Sequence, residues 1–440
     1  MDKENSFLGY SESEYRLFRR YALRYLIFFS LTYMAFYCCR LNLANISAAM
    51  MEGLNWTKSD IGIITSALFW TYGISQLFVG RLSEIFGPEK FIPLAVILSV
   101  AANVLLGFQN SLPVIAVIWA FNGIFQSMAW TPGIATITRW FPGKRRGFAT
   151  GFAYAFSGFG QVCATLTVAL AVSVLPDLGW RAAFIIPPAF PLVMIILFMI
   201  FSRSSPTKIG LHEYVEEDAE KAENERKLKE SVSRNGFFYP FKLVLTNKRF
   251  IAWILIAFLV GMTRYGLTTW IPLYYVNRFG IDLTEGLLQS LALPAGMGVG
   301  ALVVPSLTDK FCPRDRLPAV IISAVCGAVF VLSFLLLDPT KTFQMIIAEI
   351  VLFFAGFFIY SINGVAWAYA TDIGGRVLGG TCVGILNFAN YTGAAIQSIV
   401  YGFILDKAGW PTVFISISVF CLIIATLGLL NKNKKTIIGS

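Results

Sequence analysis

Long apolar runs separated by short polar breaks set the pattern of this chain. They predict helices at 23–49, 59–83, 91–108, 113–140, 147–174 and 180–202. A second set follows at 250–276, 284–307, 317–337, 343–369, 379–405 and 411–430. A helix needs about 20 apolar residues to cross a bilayer, so each run reads as one span. Between the sets, 203–249 is polar, and 213–230 (EYVEEDAEKAENERKLKE) is nearly all charged or helix-forming, the composition of a solvated linker. The expected organisation is an N-terminal segment 1–22, a six-helix half 23–202, a linker 203–249, a second six-helix half 250–430 and a tail 431–440.

Composition agrees. Of 440 residues only 14% are Asp, Glu, Lys or Arg, against about 25% in soluble globular chains, and 56% are hydrophobic. That balance excludes an ordinary soluble enzyme and makes lipid the solvent for most of the chain. A net charge of +10 would suggest nucleic acid in a soluble protein. Here the cations cluster by loop: Arg16, Arg19, Arg20 and Arg24 precede or open the first span, and Arg81 and Lys90 follow the second. Lys144, Arg145 and Arg146 follow the fourth, Lys310, Arg314 and Arg316 the eighth, and Lys432, Lys434 and Lys435 end the chain. The opposite loops, such as 109–113 and 177–181, are nearly uncharged. By the positive-inside rule both termini face the cytoplasm of the plasma (inner) membrane, and no nucleic-acid partner is expected.

The seven cysteines lie mostly inside apolar runs, with neither a disulfide framework nor zinc spacing, and the single histidine, His212, sits in the polar linker. No metal or other cofactor is expected. No nucleophile, metal cluster or carboxylate pair marks an enzyme, and no cleavable signal sequence precedes Leu23.

The two sets of spans resemble each other. Gly147 and Gly151 open the fifth span as Gly380 and Gly384 open the eleventh; Gly179, Trp180 and Phe184 open the sixth as Gly409, Trp410 and Phe414 open the twelfth. The offsets, 233 and 230 residues, are nearly constant, which implies a six-plus-six repeat. An all-α membrane protein with two pseudo-symmetric six-helix halves is the architecture of major facilitator transporters, whose substrate site lies between the halves near mid-membrane.

Ionisable groups at that depth cost a few kcal/mol and are functional candidates. Arg40 and Arg264 are two such groups, each about 20 to 25 Å from the cytoplasmic end at 1.5 Å per residue. They are symmetry mates, 224 residues apart, and neither has an acidic neighbour one turn away. A guanidinium offers a planar fork of donors that matches phosphate, sulfonate or carboxylate oxygens. Tyr33, Tyr37 and Arg40 share one helix face, as do Arg264 and Thr268. Asn387, Asn390 and Tyr391 group on the eleventh span and Asn122, Gln126 and Trp130 on the fourth, and as a set they suggest a polar central cavity. Two cations that must cross a dry state are best neutralised by a bound dianion, so the site should reorient mainly when loaded, giving exchange.

At these residues the chain resembles the organophosphate:phosphate antiporter family. The stretch 33–40 (YMAFYCCR) looks like that family's first helix, and 264–272 (RYGLTTWIP) like its seventh-helix motif. YGISQ at 72–76, WTP at 130–132, GRLSE at 80–84 and RSSP at 203–206 also match. The resemblance implies a rocker-switch exchanger, working as a monomer, in which Arg40 and Arg264 grip a phosphoryl group, Tyr33, Tyr37 and Tyr72 line the path, Gln76, Tyr154 and Ser157 complete the candidate site, and inorganic phosphate is the counter-substrate. This chain departs from the pattern at Gln76, where the characterised phosphate-ester carriers have lysine. It departs again at Ser157, where the glycerol-3-phosphate carrier has histidine, and at Thr269, where that carrier has an acid. Alternatives that keep the same arginines are transport of a sulfonate or sugar acid, and a membrane sensor of sugar phosphate.

Overall fold

The computed structural model describes residues 9–141, 143–212, 227–228, 230–231, 234–236, 239–311 and 315–431. Most of the charged stretch 213–230, Cys312, Arg314, Lys432, Lys434 and Lys435 lie outside the described residues, and of Arg81, Lys144 and Arg146 only the backbone is described.

The fold is all-helical. Span 1 comprises Glu12–Phe36, a 3-10 turn Tyr37–Cys39 and Asn42–Leu54. Spans 2 to 5 are Lys58–Phe86, Pro88–Gly107, Leu112–Trp140 and Gly143–Val174; span 6 is a 3-10 segment Pro176–Phe184 followed by Ala189–Phe201. Span 7 is Lys248–Phe279, span 8 combines Leu283–Ser290 with Ala292–Phe311, span 9 is Leu317–Leu335 and span 12 is Trp410–Asn431.

Spans 10 and 11 are continuous in helical hydrogen bonding over Thr342–Lys407. They cannot be one rod. Asn363 and Asn390 are 27 residues apart, about 40 Å along a straight helix, yet Asn390 Nδ2 donates to Asn363 Oδ1 at 3.2 Å. The element folds back near Gly374, which lies against Gly379. Eleven stretches among the described residues are long and apolar enough to cross a bilayer. The twelfth, the limb leading to Lys407, carries Asn387, Asn390, Tyr391 and Gln397.

Two starts differ from the sequence expectation. Span 1 begins eleven residues early because Ser11 caps it reciprocally with Glu14, and because Phe18 and Tyr21 pack on Trp140. Span 6 begins as 3-10 helix. Gly179 and Gly409, the paired glycines of the repeat, both have positive φ (52° and 76°), a turn that a side chain would strain.

The packing is inverted relative to a soluble domain. Leu94, Ile97 and Leu105, Val193, Ile196 and Ile200, and Ile322 and Val329 form an exposed apolar exterior, whereas Asn42, Asn103, Asn122, Gln126, Gln161, Asn363, Asn390 and Gln397 are buried. Away from the chain termini, the first and last six spans are sealed together. Ser59 donates to Asp406 Oδ2 through its backbone N at 3.0 Å and its hydroxyl at 2.5 Å. Deeper, Gly158 of span 5 approaches Gly298 of span 8 so closely that a Cβ would lie 2.4 Å from its Cα.

Candidate functional site

The sequence predicts span 1 as one helix, but it breaks at Tyr37–Cys39, and Arg40 (φ −120°, ψ −46°) stands outside helical geometry. A break in a dry interior strands carbonyls that require other donors. Gln126 Nε2 donates to Phe36 O at 3.2 Å. Asn122 Nδ2 and Asn103 Nδ2 donate to Cys39 O at 2.8 and 3.1 Å. Ser99 joins these amides, donating to Asn122 Oδ1 at 2.6 Å and accepting from Gln126 Nε2 at 2.9 Å, and Asn42 Nδ2 donates to Asn103 Oδ1 at 2.7 Å. Leaving one such buried group unpaired costs about 1–3 kcal/mol, so this net is what permits the break. Asn122 and Gln126, read from sequence as cavity residues, thus hold the backbone at Arg40; Asn103 and Ser99 were missed. The signal was their i, i+4 spacing on span 3, matching that of Asn122 and Gln126 on span 4.

Both arginines are buried, at 3% and 4% exposure. Aromatic rings cover their faces: Arg40 lies over Tyr37 (4.6 Å) and Tyr72 (4.8 Å), Arg264 over Tyr265 (4.4 Å) and Tyr360 (4.2 Å). Such contacts contribute about 0.5–2 kcal/mol each and leave guanidinium edges open. Arg40 Nε donates to Gln126 Oε1 at 3.0 Å and its Nη1 to the Tyr391 hydroxyl at 3.3 Å, leaving Nη2 without a partner. Arg264 has both Nε and Nη2 unpartnered. Among the described residues no carboxylate forms an ion pair with either group. Further unpartnered buried donors are Gln161 Nε2 and the hydroxyls of Tyr154 and Tyr265.

One aromatic cluster gathers most of the tyrosines that the sequence singled out. Tyr33 packs edge-on to Tyr37 (5.6 Å) and against Trp130 (4.8 Å), Trp130 meets Tyr154 (5.9 Å), and Tyr154 stacks on Tyr360 (5.2 Å). Tyr72 lies on Tyr391 at 3.9 Å. Ser157 Oγ and the Tyr360 hydroxyl are 2.6 Å apart. Thr268 Oγ1 donates to Arg264 O at 3.0 Å and to Gln161 Oε1 at 3.5 Å. Two candidates are hydrogen-bonded away from the arginines. Gln76 is bound to span 4, donating to Ser127 O (3.1 Å) and accepting from Thr131 (2.7 Å). Asn390 ties spans 7, 10 and 11 through Ala257 O (3.0 Å) and Asn363. Asn387 is buried one turn before Tyr391. Tyr265, Tyr360 and Gln161 were not anticipated. No group of three or more His, Cys, Asp or Glu side chains suited to a metal occurs among the described residues.

The chain is similar to curated transporters over most of its length. It is 26% identical to the phosphoglycerate transporter protein of Salmonella typhimurium over 400 residues, covering 89% of this chain and 84% of that one. It is also 26% identical to a probable sulfoacetate transporter, SauU, of Cupriavidus necator over 384 residues, 86% of each chain. A bacterial homologue of the human lysosomal transporter Spinster shares its fold, with a TM-score of 0.72 at 17% identity over 93% of this chain and 97% of that one. The family model described as Major Facilitator Superfamily matches residues 26–398, and the chain belongs to that superfamily.

Proposed function

We propose that the protein carries a phosphorylated small organic anion across the plasma membrane by alternating access, in exchange for inorganic phosphate. The observation that carries this reading is the arginine pair: two buried cations, faces covered by rings, with unpartnered N–H groups and no carboxylate partner among the described residues. An ionised group left so is costly, and a bound oxyanion supplies the missing acceptors. Phosphoglycerate transport by one relative supports the substrate class. The halves 23–202 and 250–430 rock about the site in a monomer, with the linker 203–249 and both termini in the cytoplasm, as the basic loops require.

Exchange follows from charge. With the site empty, reorientation moves two uncompensated cations through the occluded state; with a dianion bound it moves none. Proton coupling would need a titratable carboxylate or histidine beside the arginines, and the described residues there are tyrosines and amides.

A second reading, a non-phosphate dianion such as a sulfonate bearing a carboxylate, is favoured by Gln76 and Ser157. Both are neutral and both are hydrogen-bonded within the protein, so neither adds a third cation. The sulfoacetate transporter among the relatives supports it. The test is counterflow of labelled phosphate in proteoliposomes against phosphate esters, sulfonates and sugar acids. Phosphate-driven uptake inhibited best by phosphate esters is the expected result. Inhibition by sulfonates alone selects the second reading, and no phosphate entry refutes phosphate exchange.

A further inference from the structure

Resting on that reading, we propose that the two arginines divide the work: Arg264 holds the oxyanion through a two-nitrogen edge, while Arg40 supplies one contact and ties occupancy of the site to its side-chain bridge from span 1 to Tyr391 of span 11. The geometry is asymmetric where the repeat is symmetric. Nε and Nη2 form the side edge of a guanidinium, the pair that takes two oxygens of one anion. On Arg264 both nitrogens of that edge are unpartnered. The rings of Tyr265 and Tyr360 lie 4.4 and 4.2 Å from its Cζ and restrict its movement. On Arg40 the same edge is broken, because Gln126 takes Nε at 3.0 Å. Its Nη1 reaches Tyr391 on span 11 at 3.3 Å, and only Nη2 has no partner.

Where span 4 brings an amide to Arg40, span 10 brings the Tyr360 ring to Arg264. That amide is not a spare group. Gln126 Nε2 holds Phe36 O and Ser99 Oγ, so its Oε1 is fixed toward Arg40. Tyr391 is fixed in turn, lying on Tyr72 and beside Tyr265 (5.7 Å). An anion drawn to the free Nη2 of Arg40 therefore sits beside Nη1, the one nitrogen of this group that bridges the first six spans to the last six. Differential contact of this kind is what lets a ligand shift a two-state equilibrium.

Binding and conformation test the two parts separately, on the full chain in detergent. With labelled inorganic phosphate and labelled sulfoacetate as probes, Arg264→Lys should raise Kd at least about 100-fold, because an ammonium cannot reproduce the edge. Arg40→Lys should raise it only about 3- to 10-fold, since a single contact survives. Equal losses in the two variants overturn the division. Tyr391→Phe keeps the ring and removes the bridge; Kd should stay within about 3-fold while exchange changes at least about 5-fold. The third measurement needs no ligand: the distance between labels carried on keto amino acids at exposed Asn55 and Lys407, on the sealed side of the site. In Tyr391→Phe the distribution should shift toward the open form, and an unchanged distribution overturns the tie. A wild-type protein that binds neither probe refutes the anion reading and the role of Arg264 with it; the label distances then still decide the Arg40–Tyr391 bridge.

Discussion

Arg40 and Arg264 occupy matching places in the two sets of spans, 224 residues apart, and the chain holds them by different means. Span 7 runs as helix through Arg264, from Lys248 to Phe279. Span 1 breaks three residues before Arg40, and four polar residues of spans 3 and 4 hold the break. Each guanidinium lies over two aromatic rings at 4.2 to 4.8 Å, so the rings alone do not distinguish them. The edges do. A repeated fold supplies two equal cations, and the polar side chains that later surround each decide which of its hydrogens remain for a ligand.

The largest effects should come from the cations themselves. Arg40→Lys and Arg264→Lys should each cut anion exchange at least about 100-fold while the protein elutes as a folded species in detergent. Wild-type exchange in both would remove the site from consideration. Asn122→Leu comes next. It strips a donor from Cys39 O and an acceptor from Ser99 in a buried net, a loss of about 1–3 kcal/mol. Exchange should fall about 10-fold, together with a lowered melting temperature. Asn390→Leu likewise removes an amide donor, here from Ala257 O of the unbroken span 7, and should cost less exchange. If the two behave alike, the break is not what sets Arg40 apart.

Tyr360→Leu removes a ring from Arg264 and should weaken anion binding about 5-fold, in line with about 1 kcal/mol for a cation–π contact. Tyr360→Phe keeps the ring and should leave binding within about 2-fold; a loss as large as that of the leucine variant would mean the hydroxyl, not the ring face, matters. Ser157→Ala should do least, because Ser157 Oγ pairs with the Tyr360 hydroxyl and an oxygen of its own chain, Tyr154 O at 2.6 Å. Its effect on exchange should be under about 2-fold, measured in the same proteoliposomes.

Much of the fold was legible because lipid demands it. Twelve apolar runs, basic loops and a near-constant repeat offset gave the spans and their pairing, and charge scarcity inside the runs isolated Arg40 and Arg264. The break in span 1 was not legible. YMAFYCCR keeps its apolar character through the turn, and hydropathy reports burial without reporting backbone torsion. Tyr360 was missed for a related reason: it sits in FFIYSING (357–364), where a tyrosine reads as one more interface aromatic. Tyr265 adjoins Arg264 in sequence, and only the structure places its ring against the guanidinium. Asn122 and Gln126 were noticed but their role was left open, since a buried amide in a span reads alike whether it faces a cavity or a stranded carbonyl.

The sealed contact at Ser59–Asp406 and the close approach of Gly158 to Gly298 hold the first and last six spans together on one side of the arginines. Opening that side with an empty site would carry both cations through the closed form unneutralised. Efflux of labelled inorganic phosphate from preloaded proteoliposomes, into buffer with and without external phosphate, measures this directly. External anion should accelerate efflux at least about 10-fold, the cost of returning an empty dicationic site exceeding about 1.4 kcal/mol. Equal rates with and without external anion would contradict exchange, and with it the role given to the arginine pair.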